Sequence, residues 1–237
     1  MGWGAYSGVL SGGPTIETVP DTPQSPPVRD EAGTTTTQIT VEMAEVTAQS
    51  LAAGGSTISS YNLEWNQGSG TQFVEVTGET SDSESRLVPV GPLTEGQTYT
   101  FRYRVKNIHG WSPDYSPEVE IMAAEKPSAP ATPTTGIQGT SAAITWVAPS
   151  ANGSPILSYL IEIQGSDGSW NQDTVYCDGA DQTVISTTAC SIPLTKLTDT
   201  TGDFSLALGS LVAVRVSAIN VLGTGVASAA NSAGAYV

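Results

Sequence analysis

The feature that most constrains the fold is an unbroken two-residue alternation, Tyr99-Thr-Phe-Arg-Tyr-Arg-Val-Lys106. Tyr99, Phe101, Tyr103 and Val105 fall on one side of an extended chain, and Thr100, Arg102, Arg104 and Lys106 on the other. That pattern is a strand with one buried face. A second run, Val212-Ala-Val-Arg-Val-Ser-Ala218, repeats it with Val212, Val214, Val216 and Ala218 inward. Both runs end in the same punctuation, Asn107-Ile-His-Gly110 and Asn220-Val-Leu-Gly223, with the asparagines 113 residues apart. Gly96 and Gly209 each stand three residues ahead of the first inward position. A spacing of this size is one domain of a tandem repeat.

Shorter strands are expected around these two. In the first half they are Gln38 to Met43, Ser60 to Trp65, Phe73 to Val76, Arg86 to Val90 and Glu118 to Met122. In the second they are Ala142 to Val147, Ser158 to Ile163, Thr174 to Cys177, Cys190 to Pro193 and Val226 to Ala230. No segment carries a convincing helical stripe, and Gly-rich turns are dense, as at Gly54-Gly55, Asn152-Gly153 and Asp178-Gly179. The expectation is all-β, with two Greek-key sandwiches of ~100 residues each. Two proline-bearing stretches, Val19 to Pro27 and Glu125 to Pro133, read as stiff joints. The expected division is 1–20 as a lone strand plus linker, 21–124 as a sandwich without cysteine, and 125–237 as a sandwich with two.

Charge narrows the function classes. The chain carries a net charge of −15 with 8 basic residues, a field that repels phosphate backbones and anionic lipid. Nucleic acid is not an expected partner. No stretch approaches the ~20 apolar residues of a membrane span, so no membrane insertion is expected in this segment. No signal peptide is visible at Met1-Gly2-Trp3.

The residues resemble the fibronectin type III family. Trp146-Val-Ala-Pro, then Asn152-Gly-Ser-Pro-Ile156 and Tyr159, is similar to that family's W-x-x-P…N-G-x-x-I-x-x-Y run, in which the Trp and Tyr pack between the sheets. Leu93-Thr-Glu-Gly-Gln-Thr-Tyr99 resembles its tyrosine corner. The second half has Val212 where the corner tyrosine belongs, and the first has Met43 near the core Trp position, followed by a longer loop. The resemblance implies a core containing Trp146, Tyr159, Tyr99, Phe101 and Tyr103, and is nearly silent on function. The pairing of a cysteine-containing with a cysteine-free unit also resembles long arrays in large surface or secreted proteins of protists, notably ciliates. That resemblance rests on Tyr176-Cys-Asp-Gly-Ala-Asp181, Cys190-Ser-Ile-Pro193 and Ser60-Tyr-Asn-Leu-Glu-Trp65.

Residues 2–16 follow the pattern of residues 223–237. Gly2, Gly4, Ser7, Gly13 and Ile16 stand 221 residues before Gly223, Gly225, Ser228, Gly234 and Val237. The expectation is an assembly strand, burying Tyr6, Val9 and Ile16 on a sheet it does not build itself. It finishes either a preceding domain of a longer polypeptide or the sheet edge of a neighbouring subunit.

Little else in the chain carries chemistry. Cys177 and Cys190 are expected as an oxidised pair linking two strands. There is no CxxC, and the single histidine, His109, lacks an acidic orienter at a motif-like spacing, so no catalytic residue is expected. Asp167, Asp173, Asp178 and Asp181 crowd one stretch, but Asp-Gly pairs are good turn formers, so no metal site and no cofactor are expected. Arg102, Arg104 and Lys106 are expected to pair across strands with Glu64 and Glu75. Asn152-Gly-Ser154 is a glycosylation sequon whose use the following Pro155 lowers. The function expected is a structural building block of an extracellular or cell-surface filament or repeat array, not an enzyme, whose partners are copies of itself or neighbouring repeats. The alternative class is an adhesion module presenting loops to glycans or proteins.

Overall fold

A computed structural model describes residues 16–47 and 50–237, and the chain divides into two units, one made of residues up to Leu93 and Gln97–Ala123, the other of Thr94–Gly96 and Ala124–Val237. The first unit contains β1 (Val28–Arg29), β2 (Ile39–Glu42), β3 (Ile58–Trp65), β4 (Val74–Thr77), β5 (Leu87–Val90), β6 (Thr98–Asn107), β7 (Gly110–Trp111) and β8 (Val119–Met122). Strands β1-β2-β5 form one sheet. In the other, β4-β3-β6 run in order and both β7 and β8 pair with β6. Every pairing is antiparallel. The alternation that defines β6 is observed without a break: Tyr99, Phe101, Tyr103, Val105 and Asn107 are buried and the residues between them half-buried. They close against Ile39, Val41, Met43 and Leu63, all fully buried. Each such aliphatic or aromatic side chain contributes ~1.5–3 kcal/mol when fully removed from water.

The second unit contains β9 (Thr134–Gln138), β10 (Ser141–Thr145), β11 (Ser158–Gln164), β12 (Trp170–Asn171), α1 (Gln182–Thr187), β13 (Ala189–Pro193), α2 (Leu194–Leu197), β14 (Val214–Asn220) and β15 (Gly223–Thr224). Its sheets run β9-β10-β13 and β12-β11-β14-β15. Trp146 packs edge-on against Tyr159, ring centroids 5.1 Å apart at 68°, among Ile144, Ile161, Ile192, Phe204, Val214 and Val216. In the first unit Tyr99, at the counterpart of Val212, is buried and stacks on Trp65 at 5.5 Å.

The 113-residue punctuation has a structural cause. Asn107 and Asn220 are buried at the ends of β6 and β14, and each accepts the N–H two residues on with its own side-chain oxygen. Each donates its amide to the segment leading into its own sandwich: Asn107 to the Thr18 carbonyl at 2.6 Å, Asn220 to that of Glu125 at 2.8 Å. The backbone of the two lead-in segments is tied down alike, Thr18 N–H to Gly54 O and Glu125 N–H to Asn152 O. Gly96 and Gly209 take φ of 74° and 86°, a turn conformation that glycine adopts without a steric penalty.

Two strand expectations need correction, those at residues 174–177 and 226–230. Residues 174–177 form a turn, not a strand, because the Asp173 carboxylate accepts the Val175 and Tyr176 N–H groups and its carbonyl accepts that of Cys177. Two short helices are present; α1 starts on an Asp181 side chain that accepts from Thr183 and Val184, and it buries only Val184, too little to leave a periodic stripe. Residues 226–230 are not a regular strand. There the Ser228 hydroxyl and the Asn231 side-chain oxygen take the N–H groups of Val216 and Val214, at 3.0 and 2.6 Å, displacing part of the backbone ladder. Thr18 and Asp21 donate their N–H groups to the Gly54 and Ala52 carbonyls of the β2–β3 loop. The expected assembly strand falls outside the described residues at Tyr6 and Val9; Ile16 is described, exposed and in no strand.

Candidate functional site

The most elaborate side-chain array lies on the outer face of β6. Alternation aims Arg102, Arg104 and Lys106 the same way, and the register sets Arg102 beside Glu64, Arg104 beside Asn62 and Lys106 beside Ser60. The Arg102 guanidinium is held between the Phe73 and Tyr115 rings, 3.9 and 4.1 Å from their centroids. Arg104 lies between Tyr115 and Trp111, at 4.7 and 4.8 Å, and Lys106 sits over Trp111 at 5.5 Å. Cations and rings thus alternate along the strand, an arrangement stabilised by the negative faces of the rings.

Each cation also has a carboxylate. Arg102 pairs with Glu64 at 2.8 Å, Arg104 with Glu79 at 2.6 Å and Lys106 with Asp82 at 2.8 Å. Glu64 is 8% exposed and takes a further bond from the Tyr115 hydroxyl at 2.7 Å. Burial, and then that bond to the carboxylate, push the Tyr115 phenol far above its usual range. Glu75, expected to pair with this row, instead accepts the Glu79 and Thr80 N–H groups and the Thr80 hydroxyl. Those bonds, led by the Thr80 hydroxyl, hold its carboxyl below the usual range. With every cation paired, the row has no charge left to attract an anionic ligand; its chemistry is that of a staple. The second unit has a shorter version, Arg215 clamped by both Glu162 oxygens at 2.8 and 3.0 Å and stacked on Trp170 at 4.5 Å.

The remaining sequence candidates are also absorbed into structure. Cys177 and Cys190 form a disulfide with Cα atoms 5.2 Å apart, and it joins the Asp173 turn to β13 rather than strand to strand. Asp167, Asp173, Asp178 and Asp181 each accept a nearby backbone N–H. Among the described residues, no group of three or more His, Cys, Asp or Glu side chains is placed to hold a metal. The Asn152 amide donates to the Lys126 carbonyl at 2.8 Å, and the sequon's Ser154 is 1% exposed, so a glycan would have to displace that bond.

His109, which has no acidic orienter at a motif-like spacing, meets an acid distant in sequence: its Nε2 lies 3.0 Å from Glu17 Oε2, which also accepts from the Ser56 hydroxyl at 2.7 Å. The order is serine–carboxylate–imidazole. A nucleophilic triad needs the imidazole against the hydroxyl; here the carboxylate stands between the His109 ring and the Ser56 hydroxyl. No helix among the described residues is long and apolar enough to cross a membrane.

Two antiparallel sheets in each unit, packed over a shared core, define a tandem of immunoglobulin-like β-sandwiches. The chain is similar in sequence to proteins named for their fibronectin type III domains. It is 35% identical over 117 residues to chicken fibronectin type-III domain-containing protein 3a, covering 48% of this chain and 9% of that protein. Its identity to the human fibronectin type-III domain-containing protein 3A is 32% over 131 residues, covering 54% of this chain and 10% of that one. The chain therefore spans about a tenth of the length of the curated relatives it matches. Among solved structures, the crystal structure of chicken CNTN1 FN1-FN3 domains aligns over 87% of this chain and 65% of its own, with 17% identity and a TM-score of 0.38. No protein-family model matches.

Proposed function

We propose that the chain is a structural building block of an extracellular or cell-surface repeat array, assembled end to end, in which segment 2–16 completes a sandwich of the second type in a neighbouring unit. One observation carries this reading. The residues that segment 2–16 shares with 223–237, at a constant spacing of 221, are ones whose type matters in the second unit. Gly223 and Gly234 take φ of 119° and 141°. A Cβ on Gly225 would come within 2.2 Å of the Pro127 carbonyl oxygen. Ser228 supplies the hydroxyl that takes the Val216 N–H. A segment repeating these residues at these spacings is suited to the same course along a β14-like strand. The disulfide supports an oxidising compartment, and the net charge of −15 keeps nucleic acid and anionic lipid away.

The test is negative-stain microscopy and light scattering on the full chain and on a chain lacking residues 1–16. The full chain is expected to form end-to-end assemblies. The shortened chain should keep its circular dichroism spectrum and remain monomeric. Equal assembly by both chains, or by neither, would overturn the reading.

A further inference from the structure

The two lead-in segments differ in one respect that the domain repeat makes visible. Thr18 and Glu125 are counterparts, since each donates its N–H to the β-strand loop of its own unit and offers its carbonyl to the pinning asparagine. By the same matching Ser56 corresponds to Ser154, Glu17 to Ala124 and His109 to Leu222. In the first unit the Glu17 carboxylate therefore joins three elements: its own lead-in segment, the β2–β3 loop through Ser56 at 2.7 Å, and the β6–β7 turn through His109 at 3.0 Å. In the second unit alanine and leucine replace the acid and the imidazole. The Ser154 hydroxyl, 1% exposed, is left with no hydrogen-bond partner among the described residues.

We propose that Glu17, Ser56 and His109 form an acid-sensitive clasp that fastens the lead-in segment to the first unit, a device the second unit lacks. The groups facing Glu17 are few. The β6–β7 turn presents His109 and the β2–β3 loop presents the Ser56 hydroxyl. Asp21 lies further along the lead-in segment, and Asp114 follows β7, its N–H on the Thr22 hydroxyl. The hydrogen bonds from His109 and then Ser56 hold the Glu17 carboxyl below its ordinary value, as a carboxylate with two donors requires. A depressed carboxyl contributes its stabilisation above its unfolded value and loses it as pH falls through the folded one. The clasp is thus closed at neutral pH and opens in acid, while the asparagine pin beside it does not titrate.

The experiment is amide hydrogen exchange on the full chain at pH 7 and in steps to pH 3, with rates corrected for the intrinsic effect of pH. The probes are the Thr18 N–H and, as internal control, the Glu125 N–H. Thr18 protection should fall relative to Glu125 by about two- to fivefold, the size an exposed charged contact supports. Glu17→Gln should remove the pH dependence and leave Thr18 at the wild-type acidic level. His109→Leu, which installs the second unit's residue, should lower Thr18 protection at pH 7. Equal loss at Thr18 and Glu125, or an unchanged pH profile in Glu17→Gln, would overturn the proposal.

Discussion

Asn107 donates its side-chain amide to the Thr18 carbonyl at 2.6 Å and to the Ala53 carbonyl at 2.9 Å. One 1%-exposed side chain therefore fastens the end of β6 to both the incoming segment and the β2–β3 loop. Asn107→Ala leaves these carbonyls short of a donor, each at about 1–3 kcal/mol. The expected loss is about 2–4 kcal/mol in the denaturant unfolding of the first unit, and Asn220→Ala should do the same to the second. A loss under about 0.5 kcal/mol in either would contradict the pin.

Trp146 should govern the second unit. It is 6% exposed and set edge-on against Tyr159, so Trp146→Ala should cost about 3–5 kcal/mol through lost burial and a cavity. Urea unfolding followed by circular dichroism would show the second unit's transition moving while that of the first stays in place.

The disulfide is open to a direct check. Cys177 and Cys190 are 13 residues apart in sequence and bound in the structure. Closing a loop of that size is worth about 3 kcal/mol on the chain-entropy estimate. Native protein alkylated without reductant should show no free thiol. Added reductant should lower only the second unit's melting transition in calorimetry.

Tyr115 predicts an alkaline weakness. Its phenol is raised by burial and by the Glu64 carboxylate it donates to, above the ordinary value of 10.0. The contribution is complete below that ordinary value. It is lost as pH climbs from there towards the raised folded value, because the unfolded chain sheds the proton first. Tyr115→Phe should flatten this alkaline limb of the stability profile and, in an absorbance titration, remove one phenol from those that ionise only on unfolding. A wild-type profile as flat as that of the variant would exclude the bond.

The strands were the most legible part of the sequence. Period-two burial writes itself directly into Tyr99–Val105 and Val212–Val216, and a repeated Asn…Gly ending betrayed the 113-residue period. What escaped was whatever depends on one side chain bonding one backbone group. Asp173 turns residues 174–177 away from a strand, and Ser228 with Asn231 replaces part of a ladder, without changing the hydropathy of either stretch. The cation–ring row was half visible. Alternation placed the three cations on one face, but Phe73 comes from the segment before β4 and Trp111 and Tyr115 from the stretch between β6 and β8, and they meet only through the pairing of β3, β4, β6 and β7. The Glu17–His109 contact spans 92 residues, beyond any motif spacing.

The private pairing of cations has a consequence for any approach between two copies of this chain. Seven of the eight basic side chains (Arg29, Arg86, Arg102, Arg104, Lys106, Lys196 and Arg215) lie within 4.0 Å of a carboxylate of the same chain. Little positive charge remains to greet a net −15 neighbour, so approach is opposed at long range. Two stretches, 127–161 and 216–237, contain no Asp, Glu, Lys, Arg or His at all. Contact through such neutral stretches gains when ions shrink the ~8 Å reach of the repulsion at physiological ionic strength. Added salt would then act on these molecules as an adhesive rather than a solvent for their contacts.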